Sequence, residues 1–388
     1  VGVTAEAAVA RLRERFPRVA IVHDWLTVPG GSEQIVLELL AMFPGAELFT
    51  SVYDPSPWPA EITDRPVHVS FLNRLPGAER HYPKLLPLMN RAFESFDLSR
   101  FDLVLSSSHA CAKNVRTPSS TLHVCYCHTP MRYAWDSSML AGEGIGPASL
   151  LLSPVLGWLR RMDVAGAARV DAFVANSQHV ADRIKRHYGR SSSVVHPPVD
   201  VERFLALRRD PGDFYLAFGR VVPYKRVELA VAACARLGRP IKVAGDGRAL
   251  AAVRAGAGPD SEFLGRVSDE QLDELLSRAR GLVFAGEEDF GIVPVEAQAA
   301  GVPVIAYGVG GASESVLDGR TGVLFAEQTI ESLSNAIERL EGLELDSDEV
   351  RENARRFGRE RFRDELATTV ESAADEHDRS TSPVGRGT

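Results

Sequence analysis

Short apolar runs, rich in Val, Ile and Leu, alternate along this chain with stretches in which apolar positions recur every three or four residues. The first pattern suits strands buried on both faces, and the second suits helices with one buried face. In the first half, Val19–Val22, Leu48–Val52, Leu103–Ser106, Leu122–Cys127, Ala172–Ala175 and Ser193–His196 are expected to be strands. The rhythm restarts at Phe214–Phe218 and continues through Ile241–Ala244, Glu262–Leu264, Gly281–Phe284, Val304–Ala306 and Val323–Phe325. Helices are expected at Ser32–Met42, with Ser32 as its N-cap, and at Arg226–Leu237, Ser268–Ala279, Pro294–Ala300 and Thr329–Leu340. Strand–helix alternation of this kind builds parallel sheets with crossover helices.

The alternation breaks at His196-Pro197-Pro198-Val199-Asp200, where two prolines interrupt any regular element. The expected architecture is therefore α/β: two doubly wound Rossmann-like domains, residues 1–198 and 199–357, facing a cleft at the C-terminal ends of their strands. A helix over about 358–374 is expected to pack back on the first domain. The polar tail 375–388 is expected to be disordered.

Composition narrows the function classes. At 388 residues the chain has room for two ordinary domains, and a net charge of −8 argues against general nucleic-acid binding. No apolar run approaches the ~18 residues of a membrane span, and Val1–Arg18 lacks the apolar centre of a signal peptide. Four cysteines make no disulfide framework, so a cytoplasmic protein is expected. Cys125 and Cys127 fall in an apolar strand without a second paired motif, and no metal site is assigned there. Asp346-Ser347-Asp348 lies in an acidic linker between helices and reads as a solvated turn.

Chemistry concentrates at two strand ends in the second half. Glu288 and Glu296 stand eight positions apart around a strand–loop–helix corner, with the backbone N–H groups of Phe290, Gly291, Ile292 and Val293 between them and Pro294 suited to a first helical position. Carboxylates can bind hydroxyls there while the helix start binds phosphate, which suits a nucleotide sugar. Gly219-Arg220-Val221-Val222-Pro223-Tyr224-Lys225-Arg226 follows the other strand, so Arg220 and Lys225 flank a turn whose helix end also favours a diphosphate.

These motifs, with Gly245-Asp246-Gly247 and Phe263-Leu264-Gly265-Arg266-Val267-Ser268, resemble the retaining glycosyltransferases of family 4, which have the GT-B fold; the likeness runs from Val19 to about Phe362. The resemblance implies a nucleotide-sugar donor with no cofactor and no metal. Arg220 and Lys225 would neutralise the diphosphate, Glu296 would hold ribose, Arg266 and Val267 would meet the base, and Glu288 would contact the transferred sugar. Gly30-Gly31 resembles the family's glycine loop, although an ordinary βα turn reads the same way. His128 would lie against the donor sugar, with His23, Asp24 and Trp25 on the acceptor side.

The run His128-Thr129-Pro130-Met131-Arg132-Tyr133-Ala134-Trp135-Asp136 resembles a subgroup that transfers mannose from GDP-mannose to lipid-linked or polysaccharide acceptors, with UDP-glucose and UDP-N-acetylglucosamine as the alternative donors. Two basic, partly apolar stretches, Phe71–Arg100 and Leu150–Arg161, are candidates for peripheral contact with the inner leaflet of the membrane. A sugar-nucleotide epimerase of the same fold and a non-catalytic nucleotide-sugar sensor are the competing readings. Acceptor-dependent release of nucleoside diphosphate separates a transferase from both.

Overall fold

The computed structural model describes residues 2–136 and 149–381. The chain divides into two compact units, Val1–Pro198 with Arg359–Thr388, and Val199–Gly358. Each unit is built around its own parallel sheet.

In the first unit the strands are β1 (Val19–His23), β2 (Glu47–Thr50), β3 (Val67–Val69), β4 (Leu103–Ser108), β5 (Leu122–Cys127), β6 (Ala172–Ala175) and β7 (Ser193–Val194). They lie in the order β3-β2-β1-β4-β5-β6-β7. Every residue of β1, β4 and β5 is buried, as expected of central strands covered on both faces. Ile21, Leu105 and Val124 pack into one core with the helix Gly31–Met42, while Ala20, Val22 and Val104 pack into another with Met89 and Phe93. The helix Arg359–Thr381 lies against the helix Gly2–Arg15; Phe362, Leu366 and Val370 enter the first of these cores.

The second unit has β8 (Tyr215–Phe218), β9 (Ile241–Ala244), β10 (Ser261–Gly265), β11 (Gly281–Phe284), β12 (Val304–Tyr307) and β13 (Gly322–Phe325), in the order β10-β9-β8-β11-β12-β13. Both sheets thus reverse direction of growth at one point, between β1 and β4 and between β8 and β11. The crevice outside such a reversal is where doubly wound sheets bind ligands.

Several local expectations change. The three-residue edge strand β3 has no counterpart in the sequence reading, because its residues are only partly buried and alternate with neither helix nor core spacing. Gly30, in extended conformation, occupies the cap position expected for Ser32, and Ser32 already lies inside the helix. Pro294 is the third residue of the helix Ile292–Ala299, which starts two residues earlier than expected behind Gly291 at φ 88°. Asp346 caps the helix Ser347–Arg355 by accepting the Asp348 N–H at 2.9 Å. Residues 375–381 are not a disordered tail: the last helix continues to Thr381, and Arg15 donates to Asp375 and Asp378 at 2.6 Å each. Residues 382–388 lie outside the described residues. Phe71–Arg100 holds several short helical segments, the longest Leu86–Glu94, with Pro83 and Pro87 at the starts of two of them.

Candidate active site

The second unit places its charged residues at the β8–β11 reversal. Tyr215 and Leu216 of β8 lie beside Gly281 and Leu282 of β11, so the loops leaving both strands emerge side by side. Gly286 lies so close to the turn after β8 that an added Cβ would sit 2.8 Å from Lys225 Cα. Lys225 Nζ, largely buried, reaches Glu288 Oε1 at 2.7 Å. The glycine loop after β12 fixes the Glu288 backbone from the other side: the Gly311 N–H donates to the Glu288 carbonyl at 2.9 Å, and a Cβ on Gly311 would collide with Phe290 Cα. Arg220 is exposed, its guanidinium 3.3 Å from the Tyr224 hydroxyl.

Phe290 packs its ring against Phe357 in the core, so it offers a ligand only its backbone. With Gly291 it leads into the helix Ile292–Ala299, whose first N–H groups carry the positive end of the helix dipole. Glu296, one turn in, is half-buried. Burial pushes its carboxyl up to about 7; Arg203 and Lys225 pull it down, while Asp200 and Asp269 push it up. It is therefore poised between acid and carboxylate near neutral pH. Across the sheet, Gly245 backs onto the Gly219 carbonyl so tightly that no side chain fits, and it donates to the Gly265 carbonyl at 2.6 Å. Arg266 follows that glycine fully in solvent, 3.8 Å from Asp246, and Val267 is half-buried. The structure thus joins Lys225, Glu288 and the helix start, and leaves Arg220 and Arg266 extended at the surface.

In the first unit, polar groups gather at the β1–β4 reversal, where His23 lies directly beside Ser107. His23 Nε2 is 3.2 Å from Glu33 Oε1, and Nδ1 is 3.1 Å from both the carbonyl oxygen and the hydroxyl of Ser107. The same hydroxyl is 2.8 Å from His128 Nε2 at the end of β5. Asp24 accepts four backbone N–H bonds, from His109, Ala110, Cys111 and Ala112, at 2.6–3.0 Å. Its Oδ2 also lies 3.3 Å from His109 Nδ1. Burial would raise the Asp24 carboxyl, but the charges of His109 and His23 and the N–H groups outweigh it and hold it ionised. Glu33 shows the same balance, with His23, His109 and Ser32 overcoming its burial. His128 is pushed the other way: burial, then His109 and His23, hold its ring neutral.

His23 and Asp24 expose no surface at all, and Trp25 is buried between Tyr82 (4.7 Å between ring centres) and His109 (4.4 Å). These three, expected on an acceptor side, are thus covered by neighbouring side chains. Gly30 borders Glu33, whose carboxylate an added Cβ would approach to 3.1 Å. Glu33, Ser107 and His109 were absent from the sequence reading. Their signal was a carboxylate two positions after the glycine loop and a Ser-Ser-Ser-His run ending a central strand.

Two doubly wound parallel sheets, each with one reversal, give the chain the GT-B fold. Residues 29–203 match the family model for Glycosyltransferase Family 4, and residues 200–360 match the model for Glycosyl transferases group 1. Between them the two matches span residues 29–360. The D-inositol 3-phosphate glycosyltransferase of Streptomyces avermitilis is 34% identical over 224 residues, covering 49% of this chain and 46% of that one. The chain thus spans about half the length of the curated relatives it matches. Among solved structures, the lipopolysaccharide outer core galactosyltransferase WaaB superposes with a TM-score of 0.65 at 16% identity, over 92% of this chain and 99% of that one. Anabaena Alr3699/HepE in complex with UDP-glucose gives 0.65 at 19% identity, over 92% and 99%.

Proposed function

We propose that this protein is a retaining hexosyltransferase that moves mannose from GDP-mannose to a lipid-linked or polysaccharide acceptor. The observation that carries the transferase reading is the Lys225–Glu288 pair at the β8–β11 reversal, beside the start of the helix Ile292–Ala299. The lysine and the helix N–H groups suit a diphosphate, and the glutamate suits the hydroxyls of the sugar attached to it. Arg220, free to swing at the surface, closes on the same phosphates.

In the reaction the bond between the anomeric carbon and the diphosphate oxygen breaks, and its electron pair leaves with the phosphate. The acceptor hydroxyl oxygen bonds to the same face of that carbon, and its proton passes to the departing phosphate oxygen. Negative charge grows on the diphosphate, where Lys225, Arg220 and the helix end stabilise it without a metal ion. Glu288 acts as a sugar binder and forms no covalent bond. Mannose and GDP rest on the likeness of the 127–136 segment to mannosyltransferases.

Peripheral attachment to an anionic inner leaflet belongs to the same reading. Phe71, Leu75 and Leu88 are exposed among Arg74, Arg80, Lys84 and Arg91, with Glu79 the opposing charge in that segment. Among the described residues no helix is long and apolar enough to cross a membrane.

The test is release of nucleoside diphosphate from GDP-mannose, UDP-glucose and UDP-N-acetylglucosamine, with and without lipid-linked, glycan and inositol phosphate acceptors, in the presence of chelator. Acceptor-dependent release from GDP-mannose is expected. Release without an acceptor, or none from any donor, overturns the transferase reading; release from a UDP-sugar alone overturns only the donor, and loss with chelator only the metal-free step.

A further inference from the structure

Beneath His128 runs a line of hydrogen bonds that the reaction above does not use. It passes from Glu33 to His23, from His23 to Ser107, and from Ser107 to His128, with contacts of 3.2, 3.1 and 2.8 Å. Its members come from the first turn of the helix Gly31–Met42, the end of β1, the end of β4 and the residue after β5, and the first three are buried. Bringing a carboxylate to such a position is costly unless a partner holds it. Here the partner is a histidine that holds something else in turn.

The direction of the line follows from which atoms own hydrogens. His23 Nδ1 faces the Ser107 carbonyl at 3.1 Å, and a carbonyl oxygen only accepts, so Nδ1 carries a hydrogen and donates it. The Ser107 hydroxyl, next to the same Nδ1–H, has its own hydrogen left for His128 Nε2. His128 is neutral, since burial and the nearby rings of His109 and His23 disfavour its charge. A neutral imidazole whose Nε2 accepts must carry its hydrogen on Nδ1. Other polar groups facing the line are His109, its ring 5.9 Å from that of His23 and 6.1 Å from that of His128, and Asp24, bonded to the His109 backbone; Tyr126 lies 5.3 Å from His128 ring to ring. None of them is bonded to His128 Nε2 in place of Ser107.

We propose that Glu33, His23 and Ser107 are positioning residues that lock His128 as its Nδ1–H tautomer, so that it offers the transferred sugar a hydrogen-bond donor rather than a base. This rests on the transferase reading for the identity of the sugar, but the tautomer itself does not. A fixed donor at that nitrogen holds a hydroxyl oxygen of the sugar in place, and it removes His128 as a competitor for the acceptor's proton. That proton is then left to the departing phosphate.

The experiment is nitrogen–proton correlation NMR of the histidine-labelled full chain, alongside turnover and nucleoside diphosphate binding. The wild type should show His128 as Nδ1–H. Ser107→Ala should mix the tautomers and lower kcat roughly 10–100-fold, the usual scale for loss of a group that orients a site ligand, with nucleoside diphosphate affinity unchanged. Ser107→Thr, which keeps the hydroxyl, should restore both signals. Glu33→Ala should shift the tautomers in the same direction, while Glu33→Gln, whose Oε1 can still accept from His23 Nε2–H, should preserve them. An Nε2–H signal for His128 in the wild type overturns the proposal, as does an unmoved signal in Ser107→Ala. If the wild type turns over no sugar nucleotide, the transferase reading fails and the NMR result still decides the tautomer.

Discussion

The two units solve the same problem, holding charge at a sheet reversal, in opposite ways. In the first unit the charges are sunk: Asp24 and His23 have no exposed surface, Glu33 is buried, and each has its partners within the unit. In the second unit they stand at the surface or pair loosely. Arg220 and Arg266 extend into solvent, and Lys225 and Glu288 neutralise each other while both keep some exposure. Sunk charges are preorganised and resist rearrangement, because every alternative leaves a group desolvated and unpaired. Surface charges change partners at little cost. The first unit is thus built to hold one geometry, and the second has an ion pair that can change partners.

That contrast predicts where substitution does most damage. Asp24→Ala should orphan four buried N–H groups and strand His109, costing about 3–5 kcal/mol, the range for removing one partner of a buried charge. In a domain of this size that lowers the melting midpoint by roughly 6–20 °C, measured by calorimetry. The folded Asp24 carboxyl sits below its ordinary value, so its contribution is complete above that value and fades as pH falls through the lowered one. The wild type should therefore lose stability in acid more steeply than the variant. A midpoint within 2 °C of wild type would mean the first unit is not held by its buried charge.

Lys225→Ala should do the reverse, leaving the midpoint nearly unchanged and cutting turnover about 100–1000-fold, the scale of one lost donor to developing charge. Steady-state kinetics with the donor that proves active tests it. Near-normal turnover in a folded variant would place the diphosphate elsewhere.

Which parts of this contrast could be read from the sequence depends on range. The second unit's site is local: Lys225 and Glu288 each follow a recognisable strand, and the glycine and proline punctuation around them marks turns at a helix start. The closeness of the two segments could therefore be read from the sequence. The first unit's site depends on the order of strands. His23 meets Ser107 only because β1 and β4 are neighbours, 84 positions apart in the chain, and nothing in either segment alone announces the other. Hence the full burial of His23 and Asp24, and their link to Glu33 and Ser107, could not be read from the sequence. The last helix was cut short for a related reason: its polar end, residues 375–381, is ordered by Arg15 from the other end of the chain.

The comparison sharpens at Glu296, the one second-unit carboxylate that burial perturbs strongly upward. Its folded value, about 7, lies above the ordinary 4.5, so its contribution to stability is present at low pH and is lost as pH rises through 7. Full ionisation should cost at most ~3 kcal/mol. Glu296→Gln should flatten the fall in melting midpoint between pH 5 and 8. The wild type should also bind nucleoside diphosphate more tightly above pH 7, where the carboxylate can accept from ribose hydroxyls; titration calorimetry across that range checks both. An unchanged pH profile of stability in Glu296→Gln would show that the carboxylate ionises as an exposed group does.

The smallest expected effect is the most discriminating. Glu288→Gln removes the charge that Lys225 holds in the ligand-free protein, yet both side chains keep some solvent, 15% and 20% exposed. An ion pair of that kind contributes about 1 kcal/mol or less, so the melting midpoint should move by no more than ~4 °C. A diphosphate arriving at the wild type must first detach Lys225 from Glu288; in the variant that step is gone. Affinity for free nucleoside diphosphate should therefore hold or rise by up to about fivefold, the equivalent of ~1 kcal/mol, while transfer falls because the sugar has lost a hydrogen-bond acceptor. Calorimetric titration with the diphosphate, set beside turnover, separates the two effects. A loss of diphosphate affinity in Glu288→Gln would mean that the glutamate positions Lys225 for the phosphate rather than occupying it until the phosphate arrives, and the second unit would then be as preorganised as the first.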